Sequence, residues 1–216
     1  MNQPVCNLCM KSLPVAEKHC QSCGIPVPLD APECCARCLR KKPVFDTCYS
    51  AFNYEFPVDH LVKQIKYHQQ LIYLPPVTDQ LSRNLIHHYD GREWPQAIVP
   101  VPLHNKRLRA RGFDQALLLA RQLVKKLQPY QPLKLETRLI RRQKHTAPQQ
   151  GLKASKRKGN IKNAFSMTGR PDYQYLAIVD DVVTTGETVS EITRLLKQQG
   201  VKRVDIWCLA RTPDPR

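Results

Sequence analysis

Long apolar runs are missing from this chain. No stretch of about 18 consecutive apolar residues occurs, the length a helix needs to cross a bilayer, so no membrane-spanning helix is predicted. The first 20 residues lack the charged start and apolar centre of a secretory leader, which predicts a cytoplasmic protein with reduced thiols. No internal repeat is present, which argues against solenoids and propellers. Acids are scarce: 18 Asp and Glu stand against 34 Lys and Arg, a formal net charge of +16 over 216 residues. The imbalance is uneven, because residues 1–50 carry six cations and four acids and the excess falls after them. So basic a body favours phosphate-bearing partners through counterion release and steering. A solvated basic surface with no specific partner is the plainer alternative.

Cysteine is nearly absent after residue 48 and dense before it. Eight of the nine cysteines lie there, six of them as Cys-x-x-Cys pairs: Cys6/Cys9, Cys20/Cys23 and Cys35/Cys38. Two such reduced pairs supply four thiolates, the usual structural zinc arrangement. Gly24, directly after Cys23, permits a turn in which backbone amides point at sulfur. A segment this poor in large apolar residues needs a staple, and zinc contributes about 10–16 kcal/mol to such folds. Cys6, Cys9, Cys20 and Cys23 form the nearest-neighbour set, with Cys20/Cys23 plus Cys35/Cys38 as its rival. Cys34 and Cys48 are available to complete a second site. Redox-active or simply buried thiols are the other reading. The expected organisation is a cysteine-rich zinc-binding module at 1–48 and a second domain at 49–216.

That second domain alternates strand and helix patterns. Cys48–Tyr54 reads as a strand and Val58–Ile65 as an amphipathic helix ended by Pro75–Pro76; Lys66-Tyr67-His68, late in that helix, reads either as a ligand contact or, more commonly for such a triplet, as satisfied helix surface. Val77–Tyr89 reads as a second helix. Ala97–Val101 is a short buried strand, followed by Lys106, Arg107, Arg109 and Arg111 on a loop that leads into a helix from Phe113. Cations at the carboxyl end of a strand suit phosphate, Arg107 and Arg111 above all. Residues 134–162 hold ten cations and one acid, with no aromatic. The stretch about 138–162 is therefore expected to be a basic flexible loop, suited to a polyphosphate or a nucleic-acid backbone but not to base stacking.

Leu176–Val179, Asp180–Asp181 and Thr184–Thr188 give the most informative string: a buried strand, an acid pair, a threonine turn and a helix. Gly186 permits a positive φ, so successive amides can form an anion nest at a helix end carrying roughly half a positive charge. Carboxylates cannot hold phosphate; beside a phosphate socket they suit sugar hydroxyls or a divalent metal, which implies a phosphorylated sugar. Alternation along a strand points the two acids to opposite sides unless the strand ends between them, so only one is expected to make the principal contact. Thr184-x-x-Glu187 and Thr188-x-x-Glu191 also match capping boxes, so each threonine alone is explicable as a helix start. A helix with Val189, Ile192, Leu195 and Leu196 inward, then a strand through Val204, Ile206 and Cys208, completes a right-handed parallel crossover.

VDDVVTTGET resembles the phosphoribosyl pyrophosphate (PRPP) signature of type I phosphoribosyltransferases. Together with the N-terminal cysteine pairs, VPVPLHNKRLRARGFDQA and TAPQQGL, it resembles the competence protein F (ComF) family over nearly the full chain. Asp114 stands where that family commonly has Asn, and Glu187 where the signature often has a small residue. The resemblance implies an α/β fold, a type I phosphoribosyltransferase-like parallel sheet flanked by helices with a small zinc-ribbon-like module. It implies that Asp180 and Asp181 face the ribose hydroxyls, that Thr184, Thr185, Gly186, Glu187 and Thr188 grip the 5′-phosphate, and that Arg107 and Arg111 lie near the pyrophosphate. Mg²⁺ would accompany PRPP. The implied function is handling of single-stranded DNA during uptake for natural transformation, with other DNA-uptake proteins such as a helicase or inner-membrane channel as partners. A metabolic phosphoribosyltransferase is the alternative. In it Asp180 and Asp181 would be catalytic, stabilising a cation-like transition state as pyrophosphate leaves. A zinc-stabilised adaptor with a remnant site is the third reading.

Overall fold

The computed structural model describes residues 5–15, 18–144, 161 and 163–213. The TAPQQGL motif and most of the expected basic loop, 145–160 and 162, lie outside these residues. In chain order the elements are α1 (Asn7–Lys11), α2 (Ala36–Arg40), β1 (Thr47–Asn53), α3 (Val58–His68), a 3-10 turn (Leu71–Tyr73) and α4 (Leu74–His88). There follow β2 (Ala97–Pro100), α5 (Asn105–Arg111), α6 (Gln115–Leu127), β3 (Lys134–Leu135), β4 (Ile140–Arg142), β5 (Phe165–Met167), β6 (Tyr175–Val183), α7 (Glu187–Gln198) and β7 (Arg203–Arg211).

Five strands form one parallel sheet in the order β1-β7-β6-β2-β3, with helices on both faces. Strand alternation divides the core. Tyr175, Ala177 and Val179 of β6 join the buried faces of α3, α4 and α6, whereas Leu176 and Ile178 join α7 and the cysteine segment. The helix after β2 and the helix after β6 thus lie mainly on opposite faces. Adjacent parallel strands whose connections leave in opposite directions open a crevice at their carboxyl ends. The Asp180–Asp181 pair and the Thr184–Thr188 turn stand there.

Several local expectations change. Pro75 and Pro76 begin α4, occupying its first turn where a missing amide matters least; α3 ends earlier, at left-handed Gln69. The arginines lie not on a loop but in α5, a short helix capped by His104 Nδ1 and closed by left-handed Gly112. Asp114 caps α6, its carboxylate accepting from Leu117 N–H and Leu103 N–H, each at 3.1 Å. Strand β3 extends the main sheet, and the stretch expected to be a flexible loop from about 138 contains β4, which pairs antiparallel with β5. Among the described residues no helix is long and apolar enough to cross a membrane.

Candidate functional site

Strand β6 does not stop at the acid pair; it runs on to Val183, so Asp180 and Asp181 both lie within it, but strict alternation breaks there, since Val182 packs on the face of Val179 and Val183 on that of Ile178. Asp181 is buried and meets Lys66 Nζ from α3 at 2.7 Å. Burial opposes the charge on Lys66, but the carboxylates of Asp181 and Asp180 outweigh it and raise the ammonium above its ordinary range. Among the described residues Asp180 makes no ion pair; its Oδ1 accepts from Asp181 N–H at 2.8 Å. Burial, then repulsion from Asp181, raises its carboxyl well above the usual carboxylate range, with Lys66 offsetting part of the effect.

A stability signature follows. In the unfolded chain Asp180 ionises near the ordinary value of about 3.9; in the folded chain ionisation is opposed. The penalty is absent where both states hold the proton and grows as pH rises through the ordinary value towards the raised one. Asp180→Asn removes this penalty, so thermal melts should show the variant more stable than wild type at pH 7 and no more stable below about pH 3.5. A gain of equal size at both ends of the range would contradict this origin.

Beyond β6 the chain turns through Thr184 and Thr185 to Gly186, whose φ of 81° makes it the left-handed residue that heads α7. No side chain caps α7, so neither capping-box pattern is realised at its start. The Glu187 amide instead approaches Thr185 Oγ1 at 3.5 Å. Asp180, Val182 and residues 183–189 line a cavity of about 50 Å³ at this turn. Amides at a helix start, threonine hydroxyls and a left-handed glycine make it an anion site in chemical character.

A second cleft of about 280 Å³ opens beside Lys66, Tyr67, Gln69, Arg107, Ala110 and Arg111. The Arg111 guanidinium lies 5.5 Å from the centre of the Tyr67 ring and donates to Gln115 Oε1 at 2.5 Å. Burial, and then Arg111, lowers the pKa of Arg107. Arg142, packed over Phe165 at 5.3 Å, lies within electrostatic reach of both Arg107 and Asp180. The structure therefore gathers Lys66, Arg107 and Arg111 around one cleft and brings Lys66 and Arg142 within reach of the acid pair. Lys66 lines the second cleft while its ammonium is paired to Asp181. It is not the satisfied surface that its place late in a helix suggests, and no local pattern singles out Arg142. Helical spacing alone does not reveal a cation whose partner lies 115 residues away.

The cysteine segment resolves the pairing. The Sγ atoms of Cys20, Cys23, Cys35 and Cys38 all lie within 4.8 Å of one another, and the four are positioned to hold a metal ion. Tetrahedral thiolates about 2.3 Å from a zinc ion are about 3.8 Å apart; Cys23 and Cys35 stand at 3.7 Å. Burial works against the Cys20 thiolate, but the amides of Cys35, Cys23 and Ser22 prevail and bring the thiol to about 7. Burial raises Cys23 to about 11 and pushes Cys38 up further.

The nearest-neighbour set of Cys6, Cys9, Cys20 and Cys23 is not what the fold assembles. Cys6 and Cys9 sit exposed in and before α1, where Cys6 Sγ accepts the Cys9 amide. The chain after Cys23 doubles back, joining Cys20 N–H to the Ile25 carbonyl and Gln21 N–H to the Glu33 carbonyl, which brings Cys35 to the Cys20 sulfur. Cys48 is also engaged elsewhere, packed against Cys208 of β7.

Comparison with known proteins adds family context. Residues 114–216 match the phosphoribosyl transferase domain. The DNA utilization protein YhgH of Escherichia coli K12 is 33% identical over 96% of this chain and 90% of its own length. Competence protein F of Haemophilus influenzae shows the same identity and the same coverage of each chain. Among solved structures, a purine phosphoribosyltransferase from Pyrococcus horikoshii matches 62% of this chain and 70% of its own at 21% identity, with a TM-score of 0.38.

Proposed function

The chain belongs to the family of competence protein F and the YhgH DNA utilization proteins, and on that premise we propose that it binds PRPP with Mg²⁺ and handles single-stranded DNA. The observation that carries the reading is the acid pair of β6 leading, within one turn, to a left-handed Gly186 at the head of α7. A phosphate and a sugar diol are the two chemistries that this juxtaposition serves at once.

In this reading Thr184, Thr185, Gly186, Glu187 and Thr188 hold the 5′-phosphate, and Asp180 and Asp181 take the ribose hydroxyls. Arg107 and Arg111 meet the pyrophosphate, with Lys66 and Arg142 beside them. Lys66, at 2.7 Å, holds Asp181 in place before ligand arrives. Mg²⁺ supplies charge neutralisation on the pyrophosphate. Should the bound PRPP turn over, Asp180 and Asp181 would be the catalytic groups, stabilising cationic character at the ribose. Cys20, Cys23, Cys35 and Cys38 hold zinc, and residues 1–48 act as the module attached to the domain at 49–216. The protein works in the cytoplasm, beside DNA-uptake or DNA-utilization proteins such as a helicase or an inner-membrane channel.

The DNA half is tested by fluorescence anisotropy with a labelled single strand. Binding carried by phosphate contacts should weaken about 10-fold or more between 50 and 200 mM salt, and neutralising the lysines and arginines of 138–162 should remove most of that slope. A salt-insensitive affinity, or none in metal-loaded protein, would take DNA out of the function. Release of pyrophosphate with any nucleobase would assign turnover and favour the metabolic reading.

A further inference from the structure

Arg211, the last residue of β7, is 1% exposed and its described hydrogen bonds all go to backbone carbonyls. Its Nε donates to Cys23 at 2.9 Å. Its Nη1 donates to Val183 at 3.0 Å, to Thr184, and to Thr212 at 3.2 Å. Among the described residues it makes no ion pair. One buried guanidinium thus joins the turn that carries a metal-ligating cysteine to the first peptides of the phosphate turn.

Both ends of this bridge are confined. Gly24, next to Cys23, has a φ of +69°, and a Cβ there would stand 2.5 Å from the Cys48 carbonyl oxygen. The turn is therefore pressed against β1. A Cβ on Gly186 would stand 3.7 Å from the Phe45 ring, so the other end rests on the same segment. Cys20, Cys23, Phe45, Cys48, Val183 and Val189 share one buried cluster. In a trans peptide the C=O and the following N–H point in opposite directions. Drawing the carbonyls of Val183 and Thr184 towards Arg211 consequently aims the amides of Thr184 and Thr185 away from it, the orientation an anion nest requires.

We propose that Arg211 is a positioning residue that couples the cysteine site to the phosphate turn. Metal held by Cys20, Cys23, Cys35 and Cys38 fixes the Cys23 carbonyl, Arg211 takes its place from that carbonyl, and the amides of the turn are set for an anion while the metal is bound. The ligand half of this coupling rests on the PRPP reading above; the metal-to-turn half does not.

The test uses the full chain loaded with zinc. Amide hydrogen exchange over 182–189 should be slow in the loaded wild type and at least about 10-fold faster after the metal is chelated. Arg211→Gln keeps a donor near Cys23 and loses the reach to Val183 and Thr184. It should retain one metal per chain yet exchange like the metal-free protein over 182–189, with little further change on chelation. Calorimetry with Mg²⁺ and PRPP should show affinity about 10-fold weaker for this variant and for metal-free wild type. By reciprocity, saturating PRPP should raise zinc affinity by the same factor in a chelator competition.

Exchange over 182–189 that is indifferent both to metal and to Arg211→Gln in folded protein overturns the coupling. Should Arg211→Gln not fold, Arg211→Lys takes its place, and exchange over 182–189 in the wild type with and without zinc still decides the metal half. No heat from loaded wild type overturns the PRPP reading instead, and hydrogen exchange then decides the coupling by itself.

Discussion

Asp181→Ala should abolish Mg²⁺-dependent PRPP binding, weakening it by about 100-fold or more, which corresponds to about 2.7 kcal/mol. The carboxylate is buried and already organised by Lys66 at 2.7 Å, so a ligand hydroxyl or metal meets it in a fixed position. Hydrogen bonds to a charged group contribute about 1.5–3 kcal/mol each; Oδ1 of this carboxylate accepts from Val182 N–H at 2.8 Å and Oδ2 faces Lys66. The substitution also strands the Lys66 ammonium, and breaking one half of a buried pair typically destabilises by about 3–5 kcal/mol. Lost binding could then be mistaken for lost folding. The double variant Lys66→Met/Asp181→Ala separates the two: its thermal midpoint should recover most of the loss, while calorimetry still finds no PRPP binding. Recovery of binding in the double variant would remove Asp181 from the site.

The second large effect is expected at the cysteine cluster. Cys38→Ser, or removal of the metal from wild type, should lower the thermal midpoint by about 10–20 °C, as expected if about 5 kcal/mol of metal-linked folding energy is lost from a domain of this size. Zinc content should fall from one per chain towards none. Cys6→Ser and Cys9→Ser act at exposed positions and should stay within about 0.5 kcal/mol of wild type, with zinc unchanged. The contrast is sharp because all three substitutions are chemically identical. Zinc loss in Cys6→Ser with retention in Cys38→Ser would reverse the assignment and restore the nearest-neighbour set.

What the sequence makes legible follows the range of the interactions concerned. The strands around Val99, Ile178 and Ile206 are short apolar runs, and the amphipathic faces of α3, α6 and α7 repeat at helical spacing; such local signals suffice for the parallel sheet and its flanking helices. The acid pair and the threonine turn are equally legible, because a strand, a nest and a helix start are all local.

Long-range pairing is not. Lys66 meets Asp181 only because α3 packs beside β6, and Arg211 reaches Cys23 across 188 residues. The cysteine set hinges on the reversal after Cys23, which sequential proximity of the pairs does not encode. Local competition explains the smaller differences: Pro75 and Pro76 open a helix as readily as they close one, and the arginines form a helix once His104 and Gly112 cap its ends.

The most direct measurement of PRPP binding is isothermal calorimetry of PRPP against the zinc-loaded full chain, with and without Mg²⁺. Saturable heat at one site per chain is expected in the presence of Mg²⁺, strongly reduced without it and absent in the Lys66→Met/Asp181→Ala variant. No heat from wild type at millimolar PRPP with Mg²⁺, in protein that carries its metal and melts cooperatively, would contradict PRPP binding at the β6–α7 turn.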